Sequence, residues 1–273
     1  MTSSQPSVRA YSDILAKEVA RGQSELERPA GGLLVSGLSA GLDLGFSVFL
    51  MAIILTLTEG ALPRAVVAIL VANMYSVGFL FVVLGRSELF TEHTAVAVFP
   101  VLAGRAGLRS LGRLWVLVYV SNVAGAVLFA VLVVTVGPAL DVIRPAAFGE
   151  IAIPLLRHAW WAVLFSAMLA GWLMGLLSWL VTASGETIGK VFFVWLVTTS
   201  IGLGHLHHCI VGTTEVLSGL LAGAGVTVWQ FGRFLVLTTI GNAVGGVVFV
   251  ALIKYRHVIQ PGSAPESVDP HDG

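Results

Sequence analysis

Between two apolar runs the chain carries GLGHLHHCIVGTTEV, residues 202–216, which places His205, His207, His208, Cys209 and Glu215 in one short stretch. A second polar insert, GRSELFTEHT at 85–94, sets Glu88, Glu92 and His93 around Leu89, Phe90 and Thr91. Histidine exchanges protons near neutral pH, with a reference pKa of about 6.5. Inside an apolar segment such groups are costly, and their default reading is an ion, solute or proton pathway. Metal chemistry fits less well. His205, His207 and His208 are close neighbours in one helical run, where successive side chains diverge. Neither His-Glu-x-x-His nor Gly-x-Ser-x-Gly occurs. Cys209 is the single cysteine, which rules out an intrachain disulfide and a cysteine-cluster metal site. Its expected part is packing. The expectation is no enzyme, hence no catalytic residue, no metal and no cofactor.

The elements that must position these groups are membrane helices. Of 273 residues, 56% are hydrophobic and only 11% charged, against about 25% charged in a soluble domain. A net charge of zero offers no basic face to a nucleic acid. Stretches approaching or exceeding the roughly 20 residues that cross hydrocarbon occur at 30–58, 65–85, 114–140, 159–185 and 234–253. The first holds one acid, Asp43, expected to hydrogen-bond toward a neighbouring break. The segments 89–103 and 191–222 are apolar but interrupted, and 89–103 is too short to cross alone. Six crossings follow, the second (65–103) and the fifth (191–222) each made of two half-helices. Arg9, Lys17, Arg21, Arg28, Arg105, Arg109, Arg113, Lys190, Lys254 and Arg256 then share one side, against Arg64, Arg144, Arg157 and Arg233 on the other. That bias predicts both termini in the cytoplasm of a bacterial-type inner membrane. Residues 1–29 read as a cytoplasmic amphipathic segment without a cleavable signal. Residues 30–257 read as the transmembrane channel domain (repeats 30–138 and 159–257), and 258–273 as a disordered tail.

The chain also repeats itself. RLWVLVYVSNVAGAVLFAVLVV (113–134) and RFLVLTTIGNAVGGVVFVALIK (233–254) align without gaps at an offset of 120, with 8 identities in 22 that include Asn122/Asn242 and Gly125/Gly245. Each copy follows an interrupted span, and three crossings per repeat invert the second copy relative to the first. Inverted repeats with breaks at matching places are a transporter and channel signature. A break at membrane depth must be buried or line a wet cavity, and the N-terminus of the helix that follows it attracts anions. Gly125 and Gly245–Gly246 are expected to let helices approach closely and pack the two halves together.

On ELFTEHT, SNVAGAVLF, LHHCIVGTTEV and GNAVGGVVF the chain resembles the formate/nitrite transporter family, most closely its YfdC-like inner-membrane subgroup, from about Arg28 to Arg256. The resemblance implies an all-α, aquaporin-like six-helix bundle with the second and fifth helices broken, assembled as a homopentamer with a pore in each protomer. It also implies the roles. His208 aligns with the central pore histidine, and Thr91 and Leu89 with a pore threonine and a constriction leucine. Tyr75 and Phe79 take gate positions in the first half, Ile201 and Met174 in the second, with Phe79 and Leu89 gating one side and Ile201 with Met174 the other. Lys190 falls on a family lysine 18 residues before the histidine. Glu88, Glu92, His93, His207, Glu215, Asn122 and Asn242 are candidates for the pore vicinity. Two positions depart from the pattern. Gly171 replaces a fourth-span asparagine common among anion-conducting members, and Leu155 replaces a vestibule lysine. Arg157 or His158 could replace that lysine's charge, and Glu150 would oppose it.

The function implied is a passive channel or proton-linked carrier for a small monovalent anion such as formate or nitrite, with membrane lipid as its surroundings. The acidic residues near the breaks and the missing lysine leave a second reading open, a channel for a small neutral or cationic solute.

Overall fold

The computed structural model describes residues 11–259. Arg9 and the tail from Gln260, with the disorder expected of it, lie outside the described residues. Runs of Leu, Val and Ala with few charges fold as helices because backbone polar groups in lipid must be satisfied within the segment. The first helix, α1 (Tyr11–Glu27), is followed by the first span, α2 (Ala30–Leu57), and the second begins with α3 (Arg64–Gly85). Pro29 and Pro63 stand immediately before α2 and α3, where a missing N–H disrupts no helical bond. After the first break come α4 (Phe90–Val96) and α5 (Val98–Leu102), then the third span, α6 (Leu108–Ala139). The short α7 (Ala146–Leu156) precedes the fourth span, α8 (Trp160–Ala183). The fifth span is α9 (Thr187–Leu203) and α10 (Cys209–Leu221), and the sixth is α11 (Val228–Val244), a π-helical stretch over Gly245–Leu252, and α12 (Ile253–Ile259).

Five of these helical runs are long and apolar enough to cross a membrane, and the broken α9–α10 pair supplies the sixth crossing. The chain is a multi-pass membrane protein with the expected breaks in its second and fifth spans. One detail differs from the two-half-helix expectation. The 22 residues of α3 rise about 33 Å, so α3 nearly crosses by itself and the chain then turns back to the depth where α4 starts. The residues before the insert are apolar up to the turn, so nothing in their pattern marks an earlier stop.

The two repeats share one backbone plan. Arg86 and His205, 119 positions apart, both adopt positive φ (56° and 48°), a conformation that costs a non-glycine residue about 1–2 kcal/mol. Leu89 and His208 are both extended N-caps of the next helix. Glycines bring the spans into backbone contact: a Cβ on Gly41 or on Gly171 would collide with the carbonyl oxygen of Asn122 or Asn242 respectively. Gly125 presses on Leu38 O and Gly245 on Met168 O, so these two pack helices within each half, contrary to expectation. Gly246 alone meets the other half, at Thr94. Between the halves, Tyr119 and Thr239, 120 positions apart, hydrogen-bond to each other at 2.8 Å, which puts them on the pseudo-twofold axis.

Helices α1 and α12 lie together on one face, with the Tyr11 and His257 rings 5.5 Å apart. This is called the terminal face below, and the face of α7 the distal face.

Candidate functional site

Each break is held by one asparagine. Asn122 Oδ1 accepts from Phe90 N at 2.8 Å, and its Nδ2 donates to Glu88 O and Gly37 O, both at 2.8 Å. Asn242 repeats the set: Oδ1 accepts from Cys209 N at 2.8 Å, and Nδ2 donates to His207 O at 3.0 Å and Ala167 O at 2.8 Å. Ser36 and Ser166 then accept from Glu88 N and His207 N. Groups that broken helices leave unpaired are thereby satisfied, as burial requires. The two asparagines, expected near the pore, act on the backbone of the breaks.

The breaks meet at His208. Its Nδ1 accepts from Ile210 N at 3.2 Å and Val211 N at 3.4 Å, capping α10. With Nδ1 occupied as acceptor, the neutral ring carries its proton on Nε2, and Nε2 stands 2.9 Å from Thr91 Oγ1. Thr91 is thus the acceptor, and its own hydroxyl proton is left for another oxygen. Phe79 packs edge-on against His208 with ring centroids 5.2 Å apart, and Tyr75 follows at 5.3 Å from Phe79. Tyr75, Phe79, Leu89, Thr91 and His208 are all buried.

A cavity opens toward this cluster from each face. The distal one, about 420 Å³, is bounded at depth by Tyr75, Ile201 and Glu215, and its mouth carries Glu59, Arg64, Arg144 and Glu150. Leu155, at the position of the family's vestibule lysine, lines its wall. The terminal one, about 620 Å³, is bounded by Val83, Glu88 and Glu92 and carries Arg86 and Lys190. The expected grouping of Met174 with Ile201 on one side is corrected. Met174 stands 14 residues beyond Trp160 at the distal end of α8, and Ile201 stands 14 residues beyond Thr187 at the terminal end of α9. At 1.5 Å per residue each lies about 21 Å in, from opposite faces. Ile201 therefore shares the distal side with Tyr75, and Met174 lies deeper, bordering neither cavity.

The other candidates scatter. His207 points away from the cluster, with Nδ1 2.8 Å from Ser166 Oγ and Nε2 3.0 Å from Leu155 O. His205 lines the distal cavity. The three histidines diverge, and among the described residues no group of three His, Cys, Asp or Glu side chains could hold a metal. Asp43 accepts from Ser39 one turn earlier on its own helix, at 3.2 Å, rather than reaching a break. Ser39 Oγ in turn lies 3.5 Å from Ser87 Oγ in the first break. Cys209 is buried.

The terminal side holds what sequence reasoning missed. His93 Nε2 and Arg28 both bond Glu88, and Arg21 meets Glu92 at 2.7 Å. Glu18, fully buried on the inner face of α1, accepts from Ser178 Oγ at 3.2 Å. Helix α1 thus roofs the terminal cavity with Arg21 and Glu25, joined by Arg28 just past its end. The Glu92 carboxylate beside Arg21 raises its guanidinium pKa, and burial raises those of the Glu18 and Glu25 carboxyls. On the distal face Arg144 bonds Glu150 at 2.6 Å and Glu59 at 3.0 Å, and the Glu150 hydrogen bond raises its pKa. No spacing rule links charges so far apart in the chain.

Comparison with known proteins adds lineage to this geometry. A family profile described as formate/nitrite transporter matches residues 12–256. The chain is 31% identical over 243 residues to "Inner membrane protein YfdC" of Escherichia coli, covering 87% of this chain and 75% of that protein. It is 29% identical over 245 residues to "Probable formate transporter" of Methanothermobacter thermautotrophicus (83% and 89% covered). Its identity to "Nitrite transporter NirC" of Salmonella typhimurium is 27% over 225 residues (81% of each). Among solved structures, "FNT family ion channel" superposes with a TM-score of 0.80 at 23% identity, covering 90% of this chain and 98% of that one. "Pentameric formate channel with formate bound" gives 0.71 at 20% identity, with 85% and 98% covered. Both share the aquaporin-like fold of this bundle.

Proposed function

Because the chain belongs to the formate/nitrite transporter family, we propose that it passes a small monovalent anion of the formate or nitrite kind through the cluster of Tyr75, Phe79, Thr91 and His208. The observation that carries this reading is the partition itself. Two cavities approach from opposite faces and are separated by aromatic rings and one imidazole whose Nε2–H is aimed at Thr91. A bare anion between those rings pays several kcal/mol of desolvation. Accepting from the free Thr91 hydroxyl proton lowers that cost, and a proton that the His208 ring has first taken up from cavity water passes to the anion, which returns the ring to neutral and cancels the anion's charge while the acid passes Phe79. In proteoliposomes, flux of formate or nitrite should appear and rise as external pH falls. His208→Asn should reduce it by about a hundredfold, the scale of a lost proton-transfer group. Flux that ignores His208 at every pH would reject the mechanism.

Named relatives support further parts of the proposal. One solved neighbour is titled pentameric, and the chain is proposed to form the same assembly, lipid-facing on its outer belt of exposed Leu, Val and Phe. The Lys and Arg bias supports a cytoplasmic terminal face in an inner membrane. A second substrate reading rests on the distal cavity, where Glu59, Glu150 and Glu215 outnumber Arg64 and Arg144 and Leu155 supplies no charge. This favours a neutral or cationic solute. Reversal potentials in planar bilayers decide: a cation-selective value supports the second reading against the first.

A further inference from the structure

The distal cavity ends on a group that the mechanism above leaves unused. Glu215 stands six residues after Cys209 in α10, about 9 Å beyond the helix start, and is only 6% exposed. It lies at the floor of the cavity with Tyr75 and Ile201. Among the described residues no hydrogen bond or ion pair reaches its carboxyl. The Tyr75 hydroxyl in the same floor is buried and also without a partner. The titratable groups around that cavity are Glu59, Arg64, Arg144, Glu150 and His205, and Arg144 is already engaged by the two glutamates beside it. Two polar side chains, buried and unpaired, thus face one small space. Buried polar groups without partners are rare enough to require an explanation.

We propose that the Glu215 carboxyl and the Tyr75 hydroxyl form a recognition site for a small planar anion with two oxygens on one atom, ahead of the aromatic partition. The proposal rests on the transport reading and deepens it. The protonated Glu215 carboxyl donates its single O–H to one oxygen of such an anion and leaves the other oxygen for a second donor, a fit that a spherical halide lacks. Tyr75 donates a further hydrogen bond to one of its oxygens. Proton transfer then breaks the Glu215 O–H bond and forms an O–H bond on the anion. The neutral acid moves on toward Phe79, and the carboxylate left behind takes a proton from cavity water. Glu215 thereby loads the proton on the distal side, and Tyr75 selects the oxygen geometry.

Infrared difference spectra of the full-length protein in lipid vesicles test the site separately from flux. A protonated-carboxyl C=O band that shifts with sodium formate or nitrite but not with sodium chloride should be present in the wild type and vanish in Glu215→Gln, while the band of buried Glu18 stays in both. Tyr75→Phe, which keeps the ring and its packing, should diminish that shift. A formate-sensitive band that survives Glu215→Gln, or a band that shifts with ammonium chloride and not with formate, overturns the proposal. In proteoliposomes Glu215→Gln should lower formate uptake by about tenfold or more. Unchanged uptake in that variant overturns the role of Glu215 and leaves the transport reading standing. A wild type with no formate or nitrite uptake removes both.

Discussion

At the scale of single residues, the asparagines of the breaks carry the most structure for their size. Asn242→Asp keeps the acceptor for Cys209 N and deletes the donors to His207 O and Ala167 O. The break carbonyl His207 O is left bare while Ala167 O keeps its bond within α8, a loss of about 1–3 kcal/mol, so the melting temperature in detergent should fall, and Asn122→Asp should do the same. Thr91→Val, by contrast, removes the acceptor of His208 Nε2 while filling the same volume. It should depress flux by about tenfold, and the buried Nε2–H left without an acceptor should lower the melting temperature as well, an effect that Thr91→Ser, which keeps the hydroxyl, should spare. The part of the asparagines was only half legible in the chain. Identity at 122 and 242 within the repeat marked both positions as special. Their partners are backbone N–H and C=O groups lying 32–35 residues upstream or more, and side-chain periodicity carries no signal for a bond to distant backbone. Gly171 was equally opaque. Its place reads as a missing asparagine, yet it abuts Asn242 O, and Gly171→Ala should prise α8 from α11 at a cost of about 1–3 kcal/mol.

At the scale of elements, the interruptions in the second and fifth spans were plain, because polar inserts inside greasy runs leave few other foldings. The docking of α1 was not. Its contacts to the spans run through Glu18–Ser178, Arg21–Glu92 and Arg28–Glu88, and an amphipathic pattern says which face is buried but not against what. Burial raises the Glu18 pKa when α1 is docked, so the docked state binds the proton more tightly than the free helix does. The sign follows: Glu18's contribution to docking is fully present below the ordinary carboxylate pKa and is lost as pH rises through the raised value. Hydrogen exchange of α1 amides, corrected for intrinsic rates, should therefore quicken as pH climbs through that window. Glu18→Gln, uncharged throughout, should flatten the dependence. Equal protection at all pH values in the wild type would discard it.

At the scale of the whole molecule, two cavities approach the buried cluster from opposite faces with unequal chemistry. The terminal one is roofed by α1 through Arg21–Glu92 and the neighbouring Arg28–Glu88 pair, whereas the distal one carries the Arg144 ion pairs at its mouth and a carboxyl at its floor. Native mass spectrometry of the protein in mild detergent should give a pentamer, and a monomer as the dominant species would refute that assembly. The backbone twofold through Tyr119 and Thr239 relates Leu89 to His208 as well, so equivalent places hold an aliphatic chain in one half and an imidazole in the other. The scaffolding asparagines are tied to their carbonyls in both repeats. The central pair is not bound to sameness in that way, so its unlike side chains give the cluster two chemically distinct sides within a backbone that treats them alike.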